Sequence, residues 1–179
     1  FEADWIGSSP DISIKGGCVF IGCEYGLWSK KGGISCVDIE TGVTKWTFRD
    51  SKEHVHGSPL VVEKYNMVIC GSNDSKLYAL DIKDGTLLWS FICSGAIKNK
   101  PAFSQSIIVV TDHKGGVYGL DRMGKKIWFF EVLFGSFCTP LIEEEKVYVT
   151  SFDKCIYCLN LRTGDLVWKD RTSARVFSS

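Results

Sequence analysis

The sequence has no excess of charge of either sign, because 21 lysines and arginines balance 21 aspartates and glutamates. Its basic residues are scattered singly or in pairs, so it lacks the basic patch of a protein that binds nucleic acid or anionic lipid. It also lacks an apolar run long enough to span a membrane. These absences predict a soluble domain with neither nucleic acid nor a membrane among its partners.

Groups suited to catalysis are few. The only histidines are His54, His56 and His113, and no nucleophile, base and acid follow one another at a catalytic spacing around them. The sequence therefore predicts a protein that is not an enzyme and has no catalytic residues.

Cysteine is the exception to this scarcity, with eight copies. Cys155 and Cys158 have the spacing of half a zinc site, but three residues along a strand place their side chains on opposite faces. The other spacings show no disulfide framework, and a chain of 20.0 kDa can build a core without disulfides. We therefore predict reduced, buried cysteines, no metal ligands and a cytoplasmic location, with a periplasmic or extracellular location as the alternative.

The four prolines all stand at one position of a repeat, just before a short apolar run. They are Pro10, Pro59, Pro101 and Pro140. Tryptophans recur in the same register, each four residues after a glycine, at intervals of 43, 39 and 40 residues. These tryptophans are Trp46, Trp89, Trp128 and Trp168. Spacing of this length and regularity indicates a repeat array.

Each copy of the repeat reads as four short strands. The segments are rich in Val, Ile, Tyr, Phe and Trp, and turns separate them about every 8 to 12 residues, as in all-β folds. Thr41-Gly42, Asp84-Gly85 and Thr163-Gly164 supply the positive φ of a tight hairpin. Four-stranded antiparallel sheets repeated about every 40 residues predict a β-propeller, with the recurring tryptophans as structural wedges between blades.

The amino-acid sequence of the repeat resembles that of a known family. Residues 71–81 read GSNDSKLYALD and are followed by Asp84-Gly85 and Trp89. They are similar to the pyrroloquinoline-quinone-like (PQQ-like) propeller repeat, G-S-x-D-G-x-L-Y-A-L-D-x-x-T-G-x-x-x-W, and the resemblance covers nearly the whole chain. The resemblance implies a propeller, commonly of seven or eight blades. It implies little about function, since the fold hosts quinone dehydrogenases, outer-membrane assembly scaffolds, stress-sensor domains and domains appended to adenylating enzymes.

The quinone cofactor itself is not expected. The quinone-dependent relatives have a cofactor site associated with an adjacent pair of cysteines and calcium-binding acidic residues, and this chain contains no Cys-Cys dipeptide. The resemblance therefore implies a noncatalytic member of the family without a cofactor.

The repeats divide one domain, 1–179, into four units at about 8–49, 57–92, 99–131 and 138–170. Residues 171–179 match the approach to a further repeat, and the chain begins with Phe1. We therefore expect a piece of a longer polypeptide with more blades. Two alternatives remain open, a four-bladed ring that closes on itself and a half ring that a homodimer completes.

The candidate interaction residues lie on one predicted face of the disc. If the four strands of a blade run outward, the connection into the first strand and the turn between the second and third open on the same face. His54, His56 and His113 fall in such segments. The first copy has 16 positions from Gly22 to Asp38 where the second has 10 between equivalent residues, an insertion at about 24–33.

Two aromatic residues of this insertion, Tyr25 and Trp28, lie outside the repeat register. They are read as interface anchors or as a cap over the end of the ring. The favoured function is a scaffold or sensor module that binds a protein partner or an attached domain through this rim of Tyr25, Trp28 and the three histidines. The alternative is a small-molecule-binding or enzymatic propeller with its site at the central channel.

Overall fold

The computed structural model describes residues 3–26, 31–136 and 138–173. The described residues form sixteen strands in four antiparallel sheets, and the strands of each sheet follow one another in chain order. The predicted all-β fold of four-stranded propeller blades is therefore confirmed. Among these same residues, no helix has the length and apolar character needed to cross a bilayer.

The four sheets are called blades 1 to 4. Blade 1 contains β1 (Asp11–Ser13), β2 (Cys18–Tyr25), β3 (Lys31–Asp38) and β4 (Thr44–Ser51). Blade 2 contains β5 (Leu60–Val62), β6 (Met67–Gly71), β7 (Lys76–Asp81) and β8 (Leu87–Ile92), with a single 3-10 turn at Glu63–Tyr65. Blade 3 contains β9 (Ala102–Ser104), β10 (Ile107–Thr111), β11 (Gly116–Asp121) and β12 (Lys126–Glu131). Blade 4 contains β13 (Leu141–Glu143), β14 (Lys146–Ser151), β15 (Cys155–Asn160) and β16 (Leu166–Arg171).

The turn between the third and fourth strands has the predicted chemistry. Gly42, Gly85 and Gly164 have φ angles of 70°, 74° and 75°, which glycine adopts without steric cost. In blade 1 the Asp38 carboxylate accepts the backbone N–H of Thr41 at 2.9 Å, as expected of an aspartate that begins a turn. Asn160 plays the same part in blade 4. A bulge precedes the turn in every blade.

The core consists of layers between successive blades. One buried cluster joins blades 1 and 2, a second joins blades 2 and 3, and a third joins blades 3 and 4. The inner strands β1 and β5 contact each other, as do β9 and β13. The outermost strand of blade 4 is exposed along its length. The blades thus stack side by side with their first strands innermost, which sets the rim loops of neighbouring blades next to one another.

Three of the repeat tryptophans lie against the blade that follows. Trp46 donates its indole Nε1–H to the carbonyl oxygen of Ile82 in blade 2 at 3.1 Å. A Cβ at Gly85 would come within 2.6 Å of the same ring, so only glycine fits the indole. Trp89 and Trp128 repeat this arrangement on the Arg122 and Leu161 carbonyls of blades 3 and 4, at 3.0 and 2.8 Å.

The fourth tryptophan and the first turn glycine have no such neighbour among the described residues. The Trp168 side chain is 42% exposed. Gly42, the blade 1 equivalent of Gly85, has no described atom within 4 Å of where a Cβ would stand. Beside Gly42 lies a mainly apolar groove of about 370 Å³, which Ile39 also lines. Blade 4 therefore presents a wedge and blade 1 presents the matching slot.

The described part of the insertion in blade 1 is mostly strand instead of the expected loop. Strands β2 and β3 stay paired through Cys23↔Gly33, Glu24↔Gly32 and Tyr25↔Lys31. The two glycines make this possible, because a Cβ at Gly32 would lie 2.5 Å from backbone atoms of the connection between blades 1 and 2, and one at Gly33 would meet the Tyr25 ring at 2.7 Å. The extra residues thus lengthen a hairpin and carry Glu24 toward blade 2.

Candidate functional site

On the rim, the same backbone hydrogen bond recurs in blades 2 and 3. It joins the turn between the second and third strands to the connection that leads into the first strand. In blade 2 the backbone N–H of Asn73, in the turn between β6 and β7, donates to the His54 carbonyl at 2.9 Å. In blade 3 the N–H of His113 donates to the Ala96 carbonyl at 2.9 Å. His54 and Ala96 both lie in the connections that lead into a first strand. These connections and turns therefore share one face of the disc, with His54 and His113 on it.

Two of the three histidines converge on one carboxylate on this face. His54 Nδ1 lies 3.2 Å from Glu24 Oε2. His56 Nε2 hydrogen-bonds the other oxygen of the same carboxylate. The two imidazole rings lie 5.5 Å apart, and all three side chains are half-buried. One nitrogen from each ring and one Glu24 oxygen lie within 4.8 Å of one another, close enough to surround a single metal ion.

Strand geometry explains this convergence. Glu24 lies near the end of β2, and the lengthened hairpin carries it to the connection between blades 1 and 2. That connection presses on Gly32, and its Val55 is fully buried. With Val55 pointing into the core, the flanking His54 and His56 both point outward, since alternate residues of an extended segment share a face. The carboxylate thus comes from blade 1 and the imidazoles from the connection that leads into blade 2.

The surroundings of this group are polar on one side and open on the other. Asn73 donates its Nδ2–H to His56 Nδ1 at 3.2 Å. Its amide oxygen is buried without a hydrogen-bond partner in the described part of the chain. On the open side lies a cavity of about 460 Å³, lined by Trp5, Gly7, Glu24, His56 and Lys98. Trp5, at the edge of this cavity, is 67% exposed.

The remaining predicted rim residues lie elsewhere. The His113 ring packs edge-on against Phe152 at 6.3 Å, on the side of blades 3 and 4. The Tyr25 hydroxyl is 3.1 Å from the Ser35 hydroxyl, and Arg49 stacks over its ring at 4.6 Å. Tyr25 is thus folded onto its own blade, and burial raises the pKa of its phenol. Trp28 lies outside the described residues. The structure therefore brings together His54 and His56 but not His113.

Tyrosines of the third strands anchor the rim turns. Tyr78 donates its hydroxyl to Asp74 at 2.6 Å, and Tyr118 donates to Asp112 at 3.0 Å. Asp112 is fully buried and also accepts the backbone N–H groups of Lys114 and Gly116. Burial, followed by the adjacent carboxylate, raises the pKa of Tyr78, so it remains a hydrogen-bond donor at neutral pH. These contacts fix the turns that position the site.

Sequence reasoning missed Glu24, Asn73 and Trp5 as site residues. The predicted insertion includes Glu24 in a loop, although the uninterrupted run Cys23-Glu24-Tyr25 is compatible with a continuation of β2. Asn73 occupies the same repeat position as His113, and this equivalence was the available signal for it.

A family model described as outer membrane protein assembly factor BamB matches residues 3–96 and 93–179. Among curated proteins, the chain is similar to the tetrathionate hydrolase of Acidithiobacillus ferrooxidans, with 24% identity over 74% of this chain and 26% of that protein. It is also similar to the outer membrane protein assembly factor BamB of Moranella endobia, with 22% identity over 87% of this chain and 42% of that protein. The chain therefore spans about a quarter to two fifths of the length of these relatives.

The fold has a close counterpart among solved structures. The crystal structure of BamB from Moraxella catarrhalis superposes with a TM-score of 0.74 at 20% identity. The superposition covers 92% of this chain and 48% of that one. The four blades thus match about half of that structure.

Proposed function

Because the chain belongs to the PQQ-like propeller family whose model is described as outer membrane protein assembly factor BamB, we propose that it is a noncatalytic protein-interaction scaffold. The observation that carries the proposal is the wedge of blade 4 and the slot of blade 1, neither of which is covered by any described residue. Between the other blades, the same kind of wedge and slot hold two blades together. The wedge and the slot therefore fit a protein partner.

The slot on blade 1 repeats the surface that holds each buried tryptophan. Trp46 needs only the carbonyl oxygen of the residue after the turn aspartate and the bare Cα of the turn glycine. Blade 1 offers both at Ile39 and Gly42. Trp168 in blade 4 is the repeat tryptophan that the described residues leave exposed. A second copy of this chain can therefore supply the indole that the slot lacks.

The occupant we assign to the slot is that second copy. Two copies related by a two-fold axis along the propeller axis place blade 4 of each against blade 1 of the other, which closes the ring without leaving an end blade bare. The chain matches 48% of the BamB structure with which it superposes, so two copies supply a comparable number of blades. Blades supplied by a longer polypeptide are the competing occupant.

The test is the mass of the chain in solution, measured by light scattering behind a sizing column across a range of concentrations. The unmodified chain should show twice its mass of 20.0 kDa. Trp168→Ala should run as a monomer, because the wedge is gone. Trp5→Ala is the matched control, since Trp5 is also exposed but lies on the rim, and it should remain a dimer. A monomeric unmodified chain at every concentration would exclude the second copy.

We also propose that the rim binds a further protein through Tyr25, Trp28, His54, His56 and His113. Support comes from the common face of the connections and turns and from the exposed Trp5 at its edge. Relatives named as outer membrane protein assembly factors support a protein partner and favour the periplasmic or extracellular alternative over the predicted cytoplasm. The cysteines do not oppose this location, because all eight are buried thiols and burial protects them from oxidants.

A second candidate function is a small-molecule or enzymatic site at the central channel. A relative named tetrathionate hydrolase favours it. Lys100 and Asp11, at the inner strands of blades 3 and 1, form an ion pair of 2.9 Å, and Asp11 also accepts the backbone N–H of Val61. Turnover of tetrathionate by the unmodified chain, lost in Asp11→Asn, would establish this candidate, and its absence would leave the scaffold.

A further inference from the structure

We propose that Glu24, His54 and His56 bind one divalent transition-metal ion, for which Zn²⁺ is the probe. Two imidazoles and a carboxylate are ligands that zinc prefers. Zinc bonds of about 2.0 to 2.2 Å place neighbouring donor atoms about 3.3 Å apart. The three donor atoms here already lie within 4.8 Å of one another, so small side-chain rotations bring them onto one ion. The inference does not depend on the protein-partner proposal.

The backbone holds the three ligands in place. The His54 carbonyl accepts hydrogen bonds from the Asn73 N–H at 2.9 Å and the Ser72 hydroxyl at 3.3 Å. Val55, between the histidines, is fully buried. Glu24 is fixed on the other side by its N–H, which donates to the Trp5 carbonyl at 2.9 Å. A site with a rigid backbone loses little conformational entropy when it closes on an ion.

Asn73 supplies the outer partner that a histidine ligand needs. Metal on His56 Nε2 leaves the proton on Nδ1, and a ligating histidine usually donates that proton to an oxygen. Asn73 already contacts Nδ1 at 3.2 Å through its amide. Its amide oxygen is unpaired among the described residues, and rotation of the amide by half a turn presents that oxygen to Nδ1–H.

One coordination position remains open. The cavity of about 460 Å³ borders Glu24 and His56, so water or a small anion can reach the ion from that side. Three protein ligands with an exchangeable fourth position distinguish a reactive or ligand-accepting zinc site from a closed structural one. Lys98 lines the same cavity, and its ammonium suits an anionic fourth ligand.

Calorimetric titration of the full chain with ZnCl₂ tests the proposal, together with the visible absorption spectrum of the CoCl₂-loaded chain. We expect one ion per chain, a cobalt spectrum without thiolate bands because the cysteines are buried, and weaker binding as the pH is lowered because protons compete for imidazole. His54→Ala, His56→Ala and Glu24→Gln should each weaken binding at least about tenfold, and the outer-partner variant Asn73→Ala about tenfold.

His113→Ala is the matched control, because it removes a histidine of the same face that lies outside the group. It should bind zinc as the unmodified chain does. Equal binding by His54→Ala or His56→Ala, an equal loss in His113→Ala, or thiolate bands with cobalt would overturn the proposal. If a histidine variant loses its cooperative unfolding transition, Glu24→Gln decides, since it keeps the shape of the side chain. Retained affinity in a folded Glu24→Gln variant would then refute the site.

Discussion

Replacing a turn glycine by alanine should cost far more stability where a tryptophan rests on that glycine than where none does. The comparison is Gly85→Ala against Gly42→Ala. Both glycines have positive φ, at 74° and 70°, so both alanines carry the same left-handed backbone penalty of about 1 to 2 kcal/mol. To keep the Gly42 slot free of any indole from a second copy, both changes are made in a Trp168→Ala background.

The added cost at Gly85 follows from the contact distances. A Cβ there would lie 2.6 Å from Cε3 and 2.7 Å from Cδ2 of Trp46, well inside van der Waals contact. The rigid indole must move, which overpacks the interface at a cost of about 1 to 3 kcal/mol. Movement also strains the 3.1 Å bond to the Ile82 carbonyl, worth about 1 kcal/mol. Gly85→Ala should therefore lose about 2 to 4 kcal/mol more than Gly42→Ala.

Urea unfolding followed by circular dichroism measures both losses. Gly124→Ala and Gly164→Ala, whose Cβ atoms would lie 2.5 and 2.7 Å from the rings of Trp89 and Trp128, should behave like Gly85→Ala. Losses for Gly85→Ala and Gly42→Ala that agree within about 0.5 kcal/mol would refute the wedge account, because that is the margin within which surface changes fall.

Three further results are expected. In the background that retains Trp168, Gly42→Ala should weaken dimerisation in sedimentation equilibrium while leaving the secondary structure intact; undiminished dimerisation would place the interface elsewhere. Asp112→Ala should lower the free energy of unfolding by about 3 kcal/mol in urea titrations, because it leaves several buried donors without an acceptor. A loss below about 1 kcal/mol would contradict this. Burial, then the nearby Cys18, raises the pKa of the Cys36 thiol to about 12. An unfolded thiol titrates at about 8.5, so the contribution of Cys36 to stability should be constant below that pH and fall as the pH rises toward 12. Cys36→Ala should therefore show a shallower fall of stability at alkaline pH in unfolding titrations.

Much of the fold was readable from the chain because its signals are local and repeated. A glycine that must adopt positive φ, an aspartate that closes the turn and a tryptophan four residues after the glycine lie within one short segment. Four copies in register then left little freedom in where each strand begins. The equivalence of Trp46, Trp89 and Trp128 followed from the same spacing.

The candidate site was less readable because it depends on contacts between distant segments. Glu24 meets His54 and His56 only because Gly32 and Gly33 let the hairpin of blade 1 continue against the connection to blade 2. Composition marked that stretch as an irregular insertion. Trp168 shows the same limit, since its repeat position matches that of the buried tryptophans while its exposure depends on which blade stands next to it.

The indole at each of the three junctions between blades 1 to 4 hydrogen-bonds to backbone, not to a side chain. The carbonyls that receive the indoles belong to Ile82, Arg122 and Leu161, which share neither shape nor charge. This hydrogen bond therefore sets no requirement on the side chains of the blade that follows. A gene that duplicates or deletes a blade keeps this bond available at every joint, provided that the apolar layer between the new neighbours still packs. Rim residues such as Glu24, on the lengthened hairpin of blade 1, can then differ from blade to blade without disturbing that bond.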